Sequence, residues 1–139
     1  IGKANVIREG EDVTLAVCGT LLPQVLEASD ELNKAGIHAA VLEFPTLKPF
    51  DREKLVRYAK KTGAVVTIEE HTILGGLGGA VAETISEACP VPIKRMGIKD
   101  CFGESGSYPD LLNKHQLLAE HVSRAARELI AGKNTETVM

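Results

Sequence analysis

The sequence predicts an α/β fold: a three-layer α/β/α domain built on a mainly parallel sheet. Three observations carry this. Short apolar runs rich in strand formers alternate with segments of helical period. The connections between them are short, and glycine or proline marks most of the boundaries. Strands that alternate with helices in this way pair in parallel and are covered on both faces.

Val13–Cys18, VTLAVC, reads as the first of these strands, ended by Gly19-Thr20. Thr20 is suited to cap the next helix, and Pro23 is tolerated in its first turn. Leu22, Val25, Leu26 and Leu32 recur at helical spacing, and Ala35-Gly36 closes the helix with Gly36 left-handed. His38–Phe44 reads as the next strand, followed by a rigid crossing at Pro45, Lys48 and Pro49. Asp51 reads as the cap of a helix that runs to Lys61 and is stopped by Gly63. Ala64–Ile68 is the third strand, and a glycine segment leads into a helix over Leu77–Ala88. Val91–Met96 is the fourth strand, and a short piece near Val6–Arg8 adds an edge. Beyond a long loop from Gly97 to Pro109, Asp110–Lys114 forms a short helix and Glu120–Ile130 an amphipathic one. Residues 1–131 form a single domain in this reading, and 132–139 a polar tail that frays.

Composition narrows the function classes. The chain has 139 residues, 44% of them hydrophobic, enough for one domain with its own core. No apolar run approaches the roughly 20 residues of a membrane span. Sixteen basic and 19 acidic residues give a formal charge of -3, dispersed along the chain, and aromatic residues are only 4%. Both facts argue against nucleic-acid binding. Cys18, Cys89 and Cys101 are far apart and odd in number, which fits free thiols in a reducing, cytoplasmic setting.

In such sheets ligands lie beyond the carboxyl ends of the strands. The least ordinary stretch, TIEEHTILGGLGGAVAE, falls at one of these ends. Gly75, Gly76, Gly78 and Gly79 sit at a strand-to-helix turn, where backbone amides can hold an anion or where glycines let surfaces pack closely. Neither GxGxxG nor GxxxxGK[ST] is present, and packing is the favoured reading. Glu69, Glu70 and His71 could do acid–base work, or Glu70 or His71 could fix loop backbone or contact another domain. Adjacent strand residues point to opposite faces, so Glu69 and Glu70 are not expected to pair. Ser105, Gly106 and Ser107 make a second candidate anion loop. These nine residues are the candidate anion or interface site, and no residue is assigned a catalytic, cofactor-binding or metal-binding role.

The segments EGEDVTLAVCGT, FPTLKPFDREKL, GAVVTIEEHTILGGLGGAVAE and DCFGESGSYPDLLNKHQLLAEHVSRAARELI occur in order along the chain. Together with Ile1-Gly2-Lys3-Ala4 they cover essentially all of it, and the chain resembles the C-terminal domain of transketolase, in the version found in split bacterial and archaeal enzymes. The resemblance implies a parent enzyme that uses thiamine diphosphate and a divalent metal (Mg) to move a two-carbon ketol unit between sugar phosphates. It also implies that the cofactor lies between a diphosphate-binding and a pyrimidine-binding domain or subunit, across a homodimer, and not in this domain. The resemblance then implies a structural and assembly domain, with ligand binding as a further role, that is inactive alone. The alternative is a docking or regulatory domain of a 2-oxoacid dehydrogenase beta subunit or a deoxyxylulose-phosphate synthase.

Overall fold

The computed structural model describes residues 2–72, 75–98 and 107–138. Its strands are β1 (Asn5–Arg8), β2 (Val13–Cys18), β3 (Ala39–Glu43), β4 (Val65–Thr72) and β5 (Ile93–Ile98). Its helices are α1 (Leu22–Lys34), α2 (Arg52–Thr62), α3 (Leu77–Ala88), α4 (Tyr108–Lys114) and α5 (Ala119–Val138). Among the described residues these strands form one sheet in the order β1-β3-β2-β4-β5. β2 pairs in parallel with β3 and β4, β4 in parallel with β5, and β1 runs antiparallel along β3.

Side chains alternate across the strands, so the sheet has two apolar faces. Leu15, Val17, Val41, Val66 and Ile68 pack with Val25 and Leu32 of α1 and Val122 and Ala126 of α5. Ala16, Ala40, Leu42 and Val65 pack on the other face with Leu55 and Ala59 of α2 and Leu77, Val81 and Ile85 of α3. The result is the three-layer α/β/α arrangement expected from the sequence. The spacing of Leu77, Val81 and Ile85, one per turn, seats α3 on the sheet, and all three are buried. Asp51 caps α2 by accepting the Lys54 amide, and Gly63 ends that helix at φ 73°, a left-handed conformation suited to glycine.

Four details differ from the sequence reading. Thr20 does not cap α1; it lies in a 3-10 turn, Gly19–Leu21, and Leu21 stands at the cap position without a side-chain bond. β4 does not stop at Ile68 but continues through Glu69, Glu70 and His71 to Thr72. The neighbouring strands hold it there: Cys18 of β2 lies opposite Glu69, and Ile98 of β5 opposite Thr72 after a shift in register. β5 correspondingly extends into the segment expected to be loop. Finally, α5 runs through the residues expected to fray. Lys133 anchors it, donating from Nζ to the Thr62 carbonyl at 2.9 Å, at the carbonyl end of α2.

Candidate functional site

The chain leaves β2 through α1 on one face and leaves β4 through α3 on the other. Onward connections that diverge from adjacent parallel strands open a crevice at the strands' carboxyl ends. Here that crevice lies between Cys18-Gly19-Thr20 and Glu69-Glu70.

The two adjacent acids part company at this point. Glu69 turns toward α3 and is 1% exposed. Its Oε1 accepts the Leu77 amide at 2.9 Å and its Oε2 the Gly78 amide at 2.6 Å. These are the first two residues of a helix, whose amides have no intrahelical acceptor and whose dipole favours negative charge. The anion on this helix terminus is therefore the chain's own carboxylate. Gly78 is buried beneath it, where a Cβ would stand 3.0 Å from Arg95 Cδ and 3.1 Å from Thr67 Oγ1. That threonine oxygen is buried without a hydrogen-bond partner among the described residues.

Glu70 faces outward. Its Oε2 accepts from the Thr20 hydroxyl and from the Tyr108 hydroxyl, the latter at 2.9 Å. Thr20 Oγ1 and Tyr108 OH are 3.1 Å apart. One carboxylate thus ties together the turn after β2, the end of β4 and the start of α4. Tyr108 remains 46% exposed. Cys18 completes the corner: burial pushes its thiol up to about 11, and the negative charge of Glu69 adds to that. At neutral pH it is a protonated thiol and a poor nucleophile.

Of the residues singled out in the sequence, Glu70, Gly75, Gly76, Gly78 and Gly79 gather at this corner. Gly76 occupies the cap position of α3, and Gly78 bonds to Glu69. Gly75 adopts φ 73°, and among the described residues neither it nor Gly79 has an atom within 4 Å of where a Cβ would be. His71 has its backbone in β4, but its side chain lies outside the described residues, as do Ser105 and Gly106. Ser107 is the cap of α4, accepting the Asp110 amide at 3.3 Å. Sequence reasoning left Thr20 and Tyr108 out of the candidate site, and offered Glu69 acid–base work in place of the helix terminus it holds. The signal for Glu69 was a strand-end acid followed eight residues later by a helix start.

Beside the corner runs an open groove of about 390 Å³. Leu47, Phe50 and Arg52 form one wall, and Gly79, Ala80 and Thr84 of α3 the other. Phe50 is braced by stacking on buried Phe44, with ring centroids 4.8 Å apart. Among the described residues no group of three or more His, Cys, Asp or Glu could hold a metal ion. The α3 terminus does not fit a diphosphate either, because two of its amides already hold Glu69 and that carboxylate repels a second anion.

The family model for the transketolase C-terminal domain matches residues 2–122. This chain is a transketolase C-terminal domain. It is 48% identical over 134 residues to the 6-deoxy-6-sulfo-D-fructose transketolase subunit SqwH of Clostridium sp. (strain MSTE9), covering 96% of the chain and 42% of that protein. It is 40% identical over 129 residues to a putative transketolase C-terminal section of Methanocaldococcus jannaschii, covering 92% of the chain and 40% of the relative. A 1-deoxy-D-xylulose-5-phosphate synthase of Heliobacterium modesticaldum is 38% identical over 130 residues, 93% of the chain and 20% of the relative. Among solved structures, a split-gene transketolase described as an inactive beta4 tetramer superposes with TM-score 0.91 at 45% identity, over 95% of the chain and 43% of that one. The transketolase C-terminal domain described here thus spans less than half the length of these relatives. No helix among its described residues is long and apolar enough to cross a membrane.

Proposed function

We propose that this domain is the assembly module of a split, thiamine diphosphate-dependent transketolase, and that its strand-end corner docks other parts of that enzyme. The observation that carries the proposal is the use made of the corner's acids. Glu69 is engaged by the first turn of α3, and Glu70 joins Thr20 to Tyr108. Beside them, no described residue stands within 4 Å of a Cβ position at Gly75 or Gly79, and glycine there lets another surface approach closely. Residues 1–131 are the body of the domain, and the last turns of α5 extend it.

The whole enzyme, in this proposal, is a cytoplasmic homodimer of complete assemblies that moves a two-carbon unit between sugar phosphates. The diphosphate- and pyrimidine-binding domains hold thiamine diphosphate and Mg²⁺. When bound there, the cofactor would supply the chemistry that carries the two-carbon unit, and this domain none of it. Calorimetric titration of the chain with thiamine diphosphate and Mg²⁺ is expected to give no saturable heat. Tight binding would place the cofactor here and overturn the assignment.

Gly79→Leu tests docking without disturbing the fold. Among the described residues nothing lies within 4 Å of the added Cβ, Gly79 borders the open groove, and leucine is the better helix former, so domain stability is expected to be unchanged or slightly raised. In the full-length enzyme, a close interface at this surface would be wedged apart, and sedimentation velocity is expected to show dissociated species. An intact assembly with normal turnover would remove the corner from the interface.

The synthase relative supports a second reading, in which the same module belongs to a deoxyxylulose-phosphate synthase. Activity of the full-length protein separates the two. Ketol transfer between sugar phosphates supports the first, and turnover only with pyruvate the second.

A further inference from the structure

We propose that Glu69 is a built-in anion, which positions the glycine rim of the corner and keeps phosphate out of it. The rim's use as a docking surface rests on the function proposed above; the positioning does not.

A helix of this length, with small residues at its start, is a ready receptor for an external anion. In this chain the place is taken from within. Both oxygens of one carboxylate engage the first two helical amides, at 2.9 and 2.6 Å, and the residue is 1% exposed. Charge-assisted bonds of this kind are about twice as strong as neutral ones. They tie the end of β4 to the start of α3, and so set where Gly76 and Gly79 stand relative to the sheet. The packing below leaves little tolerance. Gly78 lies against Thr67 Oγ1 and the Arg95 stem, so α3 cannot settle deeper, and among the described residues Thr67 Oγ1 already lacks a partner. Without Glu69, the Leu77 and Gly78 amides would join it as unsatisfied groups beneath the rim.

Glu69→Ala should therefore do two things in the full-length protein. Hydrogen exchange at Leu77 and Gly78, followed by mass spectrometry, should accelerate by about tenfold to a hundredfold, in line with the loss of hydrogen bonds to a charged group. The emptied site should also accept small anions: formate or inorganic phosphate should slow the exchange again, and neutral formamide should not. Glu69→Gln, nearly the same shape without the charge, should fall between wild type and Glu69→Ala; it carries the test if the alanine variant does not fold. Unchanged exchange in both variants, or rescue by formamide equal to that by formate, overturns the proposal. Accelerated exchange with anion-specific rescue, but an assembly that sediments as wild type, leaves the positioning intact and refutes the docking function.

Discussion

Gly10→Ala is expected to cost about 3 kcal/mol or more, at the upper end of what overpacking a close contact produces. A Cβ at this position would stand 2.3 Å from the Ala39 carbonyl carbon and 2.5 Å from both the Ala40 nitrogen and the His38 oxygen. All three are backbone atoms at the start of β3, so no side-chain rotation relieves the clash. The chain between β1 and β2 would have to back away. That movement would strain the Asp12 amide bond to the His38 carbonyl, 3.0 Å, and the His38 amide bond to Asp12 Oδ2, 2.7 Å. Urea denaturation should show a large fall in midpoint, or the variant should fail to accumulate folded. Gly132→Ala is the matching control. It lies on α5 with no described atom within 4 Å of the added carbon, and should stabilise by about 0.5–1 kcal/mol. Equal effects at the two positions would contradict the contact geometry.

The architecture was legible because apolar period and punctuation agree along most of the chain. VTLAVC became β2 to the residue, and Leu77–Ala88 became α3 to the residue. Asp51 was recognisable as a cap, and Gly63 as a stop, from local chemistry alone. What was not legible depends on partners distant in sequence. Glu69, Glu70 and His71 look like the polar end of a strand, yet they continue β4 because strands on both sides extend beside them. Thr20 has the makings of a helix cap, but its hydroxyl meets a carboxylate fifty residues on. Tyr108 joins the same acid from still farther away. The glycine run was readable as either an anion cradle or a packing surface. In the structure the Leu77 and Gly78 amides bond Glu69, and Gly78 lies close against Thr67 and Arg95.

Asp51→Ala is the second substitution with a large expected effect, and it carries a pH signature. Asp51 is 6% exposed and joins two segments. Its Oδ1 accepts the Lys54 amide at 3.2 Å, capping α2, and its Oδ2 accepts the Ala4 amide at 2.8 Å. The Lys54 ammonium closes the arrangement, donating to the Ala4 carbonyl at 2.6 Å and lying 3.9 Å from Oδ2. The carboxylate thereby pins the stretch that leads into β1 onto the start of α2. Losing the cap costs about 0.5–2 kcal/mol, and leaving the Ala4 amide unpaired adds about 1–3 kcal/mol. A total of about 1.5–5 kcal/mol is expected at neutral pH, with Asp51→Asn milder because its amide oxygen can still cap. Burial raises the Asp51 pKa, but the Ala4 and Lys54 amides and the charges of Lys54 and Lys3 outweigh it, so the folded value lies below the usual carboxylate range. A carboxylate depressed on folding contributes fully above its unfolded pKa of about 3.9, and that contribution fades as the pH falls through the folded value. The stability gap between wild type and Asp51→Asn should therefore stay constant from neutral pH down to about pH 5 and narrow below about pH 4. Denaturant midpoints measured for both proteins across that range check it. A gap that widens on acidification would mean that Asp51 is held protonated in the fold, and would refute the assigned role of the two amides.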